Sequence, residues 1–195
     1  MKIIAATKNK NKLREFGEIL SGFEIISQEE AGIDIDVEET GTTFEENSRL
    51  KAEAIFNATG IAAIADDSGL CVDALGGEPG VYSARYGGEG LDDEGRVQLL
   101  LKNMKDIPDE KRTARFVCVI TMVNNDGVIT ARGECEGVIN HAPKGENGFG
   151  YDPVFYMKEY GKTTAEMSPD EKNAVSHRGK ALKIFEKKIE NKKGI

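Results

Sequence analysis

The chain has 195 residues, of which 39% are hydrophobic and 31% charged, so it can bury one substantial core, and a single domain over residues 1–195 is expected. A net charge of −8 argues against the broad basic face that nucleic acids and anionic membranes require, so neither is an expected partner. With no apolar run of roughly 18 residues and no C-x-x-C pair among its three cysteines, the sequence predicts a cytoplasmic protein without a membrane segment or disulfide framework.

Hydrophobic periodicity and capping signals predict alternating strands and helices in the first half of the chain. The spacing of Leu13, Phe16 and Leu20 marks one helix, and a Thr-x-x-Glu capping box at Thr43 begins a second that should end at Gly60. In chain order we predict a strand at 2–7, a helix at 9–20, a helix at 43–60, a strand at 61–65, a polar break at 66–69 after which 70–72 can resume the strand, and a mobile, irregular loop at 76–90.

The second half of the chain is richer in Val, Ile, Thr and Phe and predicts a long hairpin. Asn124-Asn125-Asp126-Gly127 has the composition of a tight turn between two strands. In chain order we predict an amphipathic helix around 97–104 that ends before Pro108, antiparallel strands at 115–123 and 128–135, a glycine-rich loop around 149–153, and a helix after Ser176 with Leu182, Phe185 and Ile189 on one face. The fold class is mixed α/β.

A polar, lysine-rich turn joins the first strand to the first helix. The first amides of a helix lack intrahelical partners and favour an anion, so this turn is a candidate phosphate site. An ordinary solvated first turn, with Thr7 or Asn9 as the N-cap, remains an alternative, and no Walker pattern is present. The candidate residues are Thr7, Lys8, Asn9, Lys10, Asn11 and Lys12.

Carboxylates cluster in two further segments. Asp66-Asp67-Ser68-Gly69 follows an apolar strand, and ligands in open α/β sheets gather beyond the carboxyl ends of strands. Glu38 and Glu39 lie just before the second helix, on which Lys51 follows. Mg²⁺ takes one or two carboxylates together with phosphate oxygens and waters, a requirement that Glu39 and Asp67 would meet. An ordinary turn at 66–69 and a solvated acidic loop remain open.

Glycines and aromatic residues at 145–153 form a candidate base pocket, because glycine lets the backbone approach a ligand and an aromatic ring can stack on a base. Phe149 and Tyr151 could equally be core residues. Ser176-His177-Arg178, with Lys172 shortly before it, supplies two cations and a titratable ring, or simply an N-cap followed by surface residues.

Taken together, these motifs strongly resemble the inosine triphosphate pyrophosphatase family, also called the RdgB/HAM1 family, across nearly the whole chain. The resemblance implies a two-lobed α/β fold with a central mixed sheet and a substrate cleft, a homodimer, and cleavage of a nucleoside triphosphate to monophosphate and pyrophosphate. The matching motifs are Thr-x-Asn-x-x-Lys at 7–12, Glu-Thr-Gly at 39–41, Glu-Asn with Lys51, Ala-Asp-Asp-Ser-Gly-Leu at 65–70, Pro-Gly-Val-Tyr-Ser-Ala-Arg-Tyr at 79–86, Gly-Phe-Gly-Tyr-Asp-Pro at 148–153 and Ser-His-Arg at 176–178.

The resemblance also assigns a function to individual residues. Asp67 corresponds to the catalytic acid-base residue and, with Glu39, to a Mg²⁺ ligand, while Asp66 is expected to matter less. Lys8 stands where many relatives carry glycine, which removes a residue free to adopt positive φ. The implied substrate contacts are the phosphate turn at 7–12 with Lys12 nearest the polyphosphate, Lys51, Ser68, the base loop Phe149, Gly150, Tyr151 and Asp152, and the base and sugar residues Lys172, His177 and Arg178.

The expected activity is therefore Mg²⁺-dependent hydrolysis of purine nucleoside triphosphates with the wrong base, such as ITP, dITP and XTP. Two other functions remain open. A Maf-like pyrophosphatase shares the fold, although the phosphate turn at 7–12 and the triplet at 176–178 argue against it. A nucleotide-binding regulator would keep the pocket without turnover.

Overall fold

The computed structural model describes residues 1–88 and 90–193 and has the predicted mixed α/β architecture. Seven strands form one sheet in the order β2-β1-β3-β4-β5-β6-β7, in which β1 pairs in parallel with β2 and β3, and β6 pairs antiparallel with β5 and β7. The strands are β1 (Lys2–Ala5), β2 (Glu24–Ser27), β3 (Ala63–Val72), β4 (Thr113–Asn124), β5 (Gly127–Ile139), β6 (Phe155–Met157) and β7 (Lys162–Thr163). The helices are α1 (Lys10–Ile19), α2 (Phe44–Thr59), α3 (Asp93–Asn103), α4 (Pro169–Val175) and α5 (His177–Lys193).

The chain divides into two compact units. The first comprises Met1–Asp67, Cys118–Gly133 and helix α5, and the second comprises Ser68–Val117 and Glu134–Ser176. The single domain and the substrate cleft remain predictions. Within the described residues, no helix has the length and apolar character needed to cross a membrane.

The first unit has two apolar cores. One joins the predicted apolar faces of α1 and α5, represented by Phe16 and Phe185, to Ile64 of β3. The other packs Ile55 of α2 against a set that includes Ala65 of β3. Neighbouring residues of a strand point to opposite faces of the sheet, so Ile64 and Ala65 meet different helices.

Helix α2 begins and ends where its sequence predicts. The Thr43 hydroxyl accepts a hydrogen bond from the Glu46 amide at 3.2 Å, and the Glu46 carboxylate accepts one from the Thr43 amide at 3.2 Å, which completes the capping box. Gly60 ends the helix with a φ of 67°, in the left-handed region that glycine adopts without strain. The capping box and Gly60 therefore fix both ends of α2.

The hairpin prediction is confirmed, but the predicted break at 66–69 is wrong. Strand β3 continues from Ala63 to Val72 through both aspartates, and ion pairs described below compensate their buried charges. The loop at 76–90 also contains a 3-10 helix at Gly80–Arg85, so the expectation of no regular element there is wrong. The Ser83 hydroxyl stabilises it by accepting from the Leu70 amide and donating to the Gly80 carbonyl. Glu89 of that loop lies outside the described residues.

A test of the α5 packing is the substitution Gly133→Ala. Gly133 lies in β5 with an extended backbone, and a Cβ there would overlap the backbone at His177 and Ala181 of α5. Because that backbone cannot rotate away, we expect a loss of about 1 to 3 kcal/mol in the free energy of unfolding, measured in urea. Gly17→Ala, whose Cβ would meet nothing within 4 Å, is the matched control. Equal midpoints for the two variants would contradict this packing.

Candidate active site

In the turn before α1, one side chain caps the helix and the lysines supply positive charge. Asn9 is the cap, and its Oδ1 accepts hydrogen bonds from the amides of Asn11 at 2.9 Å and Lys12 at 3.3 Å. The backbone amide of Asn9 donates to the Thr7 hydroxyl at 3.1 Å. Two of the amides predicted to be available to phosphate are therefore already bonded. An anion at this turn would rely on the lysine side chains more than the sequence indicates.

The side chain of Lys8 pairs with a residue outside this turn. Its ammonium pairs with Asp34 at 3.2 Å, and both side chains are largely exposed. Exposed pairs of this kind contribute little to stability. Lys10 is also exposed, on the first turn of α1.

Asp66 is the centre of a buried ion-pair network in the first unit. Its Oδ1 lies 3.0 Å from the Lys12 ammonium, and its Oδ2 accepts from Arg178 Nη2 at 2.9 Å and Nε at 3.2 Å. The remaining arm of Arg178 donates to Glu15 Oε2 at 2.5 Å. Burial alone would raise the pKa of Asp66, but the charges of Lys12, Arg178 and Lys51 outweigh burial and hold that pKa well below its usual range. Asp66 therefore stays ionised and fixes Lys12.

Asp67, on the opposite face of β3, contacts helix α2. The Lys51 ammonium lies 2.6 Å from Glu39 Oε1 and 3.5 Å from Asp67 Oδ1, and Asn47 Nδ2 donates to Asp67 Oδ2 at 3.2 Å. Burial raises the pKa of Asp67 most, Lys51 opposes that rise and Glu39 adds to it, with a net increase. Burial would lower the pKa of Lys51, but Asp67, Asp66 and Glu39 outweigh it and raise that pKa.

The carboxylates near Lys51 fit a magnesium ion whose coordination a substrate completes. Glu39 and Asp67 converge on one ammonium, whereas Glu38 is exposed, so the structure favours Glu39 as the nearer ligand. No cluster of three His, Cys, Asp or Glu side chains suited to a metal occurs within residues 1–88 and 90–193. Two carboxylates are within the one or two that Mg²⁺ usually takes from a protein when substrate phosphates and waters supply the other oxygens.

The glycine-rich loop of the second unit is organised around Asp152. Its Oδ2 accepts from the Lys172 ammonium at 2.7 Å and the Phe149 amide at 2.8 Å, and its Oδ1 accepts from the Thr164 hydroxyl at 2.8 Å. The same ammonium lies 4.7 Å from the centroid of the Phe149 ring. The buried Asp152 carboxylate thus positions Lys172 and the loop backbone together.

Neighbouring loop residues have different environments. Tyr151 is 5% exposed in the core of the second unit, and its hydroxyl donates to the Ser83 carbonyl at 2.9 Å. Its ring is therefore not an open stacking surface, whereas the Phe149 ring is partly exposed, and the predicted contact of Tyr151 with substrate stays a prediction. The Gly150 amide donates to Asp93 Oδ2 of α3 at 2.8 Å.

The remaining predicted site residues lie on β3 and α5. Ser68 is partly exposed in the middle of β3, and His177 is buried as the first residue of α5. The structure gives Arg178 carboxylate partners in Asp66 and Glu15, so its contact with base and sugar remains a prediction.

Sequence reasoning missed two residues that hold parts of the site in place, Glu15 and Asp93, and it noted Asn47 on the same helix face as Lys51 without assigning it a role. Glu15 follows Lys12 by three positions on α1, so helical spacing could have marked it as well. Asp93 has no comparable local signal, because its partner Gly150 is distant in sequence.

Lys12 and Lys51 beside carboxylates, in a mixed α/β fold, are side chains suited to a phosphorylated ligand and a divalent metal, and that is the class of protein to which this site points. The chain belongs to the Ham1 family, whose sequence profile matches residues 3–188. It is 49% identical over 192 residues to a Bacillus cereus dITP/XTP pyrophosphatase, covering 96% of this chain and 94% of that protein. It is 48% identical over 189 residues to a dITP/XTP pyrophosphatase of Escherichia coli K12, covering 94% and 95%. The Staphylococcus aureus Ham1 protein structure has a TM-score of 0.90 and 43% identity, covering 98% of this chain and 100% of that one.

The Asp66 network can be tested by Asp66→Asn. The substitution removes a charge that pairs with the buried Arg178 and the partly buried Lys12, and breaking a buried pair typically costs about 3 to 5 kcal/mol. We expect a loss of that order in the free energy of unfolding, measured in urea. Asp34→Asn, which removes an exposed partner of Lys8, should leave the unfolding midpoint nearly unchanged. An Asp66→Asn midpoint equal to that of the parent would show that the pairs do not stabilise the fold.

Proposed function

We propose that this protein is a magnesium-dependent nucleoside-triphosphate pyrophosphatase that converts dITP, XTP and ITP to the monophosphate and pyrophosphate. The dITP/XTP pyrophosphatases that share about half of its residues over nearly its whole length support the reaction. The observation that carries the proposal is the placement of Lys51 between Glu39 and Asp67. That arrangement provides a cation for phosphate and two carboxylates for a metal in one place.

The charges of the cluster in the first unit support a metal-assisted reaction. The side chains that form it carry one negative charge in excess, and a divalent ion would reverse that sign and favour a polyphosphate. The members are four carboxylates, Glu15, Glu39, Asp66 and Asp67, and three cations, Lys12, Lys51 and Arg178.

In the proposed mechanism the residues of this chain position the substrate and move one proton. Lys12 and Lys51 bind the polyphosphate oxygens, while Asp67 accepts a proton from the water that attacks the α-phosphorus. The bond from the α-phosphorus to the bridging oxygen breaks, and pyrophosphate leaves with that electron pair. Mg²⁺, held by Glu39 and Asp67, would supply neutralisation of the phosphate charge. Positioning and electrostatics suffice in such chemistry, so no serine or cysteine nucleophile is required.

Recognition of the base is assigned to the loop of the second unit. The half-buried Phe149 ring offers a stacking face, and the Lys172 ammonium beside it is a hydrogen-bond donor. Hypoxanthine and xanthine present an oxygen at position 6, which a donor satisfies, whereas adenine presents an amino group there. A homodimer in the cytoplasm is part of the same proposal, and light scattering coupled to size exclusion would test the dimer.

The decisive experiment is pyrophosphate release from ITP with and without Mg²⁺. Release that requires Mg²⁺ supports the proposal. Binding of ITP without release would favour the alternative of a nucleotide-binding regulator. Release without any added metal, in the presence of EDTA, would contradict the magnesium requirement.

Asp67→Asn tests the proposed proton acceptor. The amide keeps the size of the carboxylate but cannot take up the proton, so kcat for ITP should fall by about 100- to 10,000-fold. Circular dichroism should show a folded protein, and Asp126→Asn in the exposed hairpin turn should keep the parental kcat. A kcat for Asp67→Asn within a few-fold of the parent would rule out this role.

Selectivity between bases is a separate prediction. Facing an adenine amino group, buried donors in the pocket would be left unpaired at roughly 1 to 3 kcal/mol each. We therefore expect kcat/KM for ITP and XTP to exceed that for ATP by at least about a hundredfold. Parallel assays on the three nucleotides check this ratio, and equal efficiency on ITP and ATP would contradict a role in removing purine nucleotides with the wrong base.

A further inference from the structure

A fully buried asparagine on α2 connects two segments that carry the proposed metal ligands. Asn47 Oδ1 accepts a hydrogen bond from the Gly41 amide at 2.8 Å, and its Nδ2 donates to Asp67 Oδ2 at 3.2 Å. Its exposed fraction is 0%, so water cannot readily replace either bond. Gly41 lies two residues after Glu39, and Asn47 therefore ties the Glu39 segment to Asp67.

Lys51, one helical turn further along α2, makes a second bridge between the same segments through Glu39 and Asp67. The two bridges differ in chemistry. The ammonium of Lys51 is a charge on a flexible stem and can turn toward a phosphate, whereas Asn47 is neutral, short and enclosed. The Asn47 bridge therefore persists when Lys51 changes partner.

Asn47 also engages one oxygen of the Asp67 carboxylate and leaves the other toward Lys51. Oδ2 accepts from Asn47, while Oδ1 faces Lys51 at 3.5 Å. Rotation of the carboxylate would break a buried hydrogen bond, so its orientation is fixed. The Gly41 backbone packs closely against the other end of the Asn47 amide, because a Cβ at Gly41 would lie 2.6 Å from Asn47 Oδ1.

We propose that Asn47 is a positioning residue, which orients the Asp67 carboxylate and holds the Glu39 segment beside it before substrate binds. The inference rests on the proposed function, because it concerns the ligands assigned there to Mg²⁺. Residues that orient metal ligands typically contribute about 10- to 100-fold to activity or metal affinity.

The test compares Asn47→Ala with Ser48→Ala. Ser48 is the next residue of α2, is also fully buried, and bonds the Glu45 carbonyl and the Thr121 hydroxyl. Ser48→Ala is therefore a control that also removes buried hydrogen bonds from α2. For Asn47→Ala we expect kcat for ITP to fall by about 10- to 100-fold and the affinity for Mn²⁺ alone, measured by EPR, to fall by about tenfold. KM for ITP should change by less than about threefold, because the phosphate-binding lysines are retained. Ser48→Ala should keep the parental kcat and Mn²⁺ affinity.

Circular dichroism identifies the temperature at which both variants are folded, and Asn47→Ser replaces Asn47→Ala in the same comparison if the alanine variant does not fold. Parental kcat and Mn²⁺ affinity in the Asn47 variant, or equal losses in the Asn47 and Ser48 variants, would overturn the inference. A parent that binds Mn²⁺ but cleaves no ITP overturns the proposed function alone, and the Mn²⁺ comparison then decides the role of Asn47. A parent that does neither overturns both.

Discussion

The structure depends on how two adjacent aspartates remain charged in the middle of a buried strand. Moving a carboxylate out of water costs several kcal/mol unless cations and hydrogen bonds replace the lost hydration. Asp66 and Asp67 are 1% and 4% exposed, and the alternation of a β-strand sends them to opposite faces of the sheet. Each face therefore needs its own compensating groups, and the helices on that face supply them.

This requirement links packing to chemistry. On the Asp66 face, Arg178 from α5 and Lys12 from α1 supply the charge, and those helices also build the core around Phe16 and Phe185. On the Asp67 face, α2 supplies Lys51 and Asn47. The groups that make it possible to bury the aspartates are thus the same groups that could bind a polyphosphate. A change at either aspartate consequently disturbs the helices packed on that face, because it removes the partner of their charged or polar side chains.

Local patterns predicted the elements whose cause is local. The capping box at Thr43, the turn at 124–127 and the apolar face of α5 each lie within a few residues of the structure they determine. Helix α4 carries a similar capping box between Ser168 and Glu171 and could have been predicted in the same way. The strand at 61–65 was also predicted, but its continuation through 66–69 was not, because Asp-Asp-Ser-Gly is ordinarily a turn and only distant partners allow it to stay extended.

The candidate site shows the same division. Lys51 and Glu39 could be singled out from the sequence, and the structure brings them together. The partner of Asp66 is 112 positions away, a separation that no local pattern encodes. The environment of Tyr151 could not be predicted from the sequence either, because a tyrosine beside glycines is compatible with a pocket or with a core. Its burial and its bond to the Ser83 carbonyl in the structure decide between them.

The link between Glu15 and Arg178 has a consequence for synthesis on the ribosome. It joins residues 163 positions apart, so α1 cannot make its bond to α5 until Arg178 has been translated. Until then Glu15 and Asp66 lack the guanidinium that neutralises them, and the nascent first unit keeps surplus negative charge in what will become its interior. The buried pairs of Arg178 with Asp66 and Glu15 therefore form only as α5 docks, late in synthesis. The apolar core that joins α1 to α5 is accordingly completed late as well.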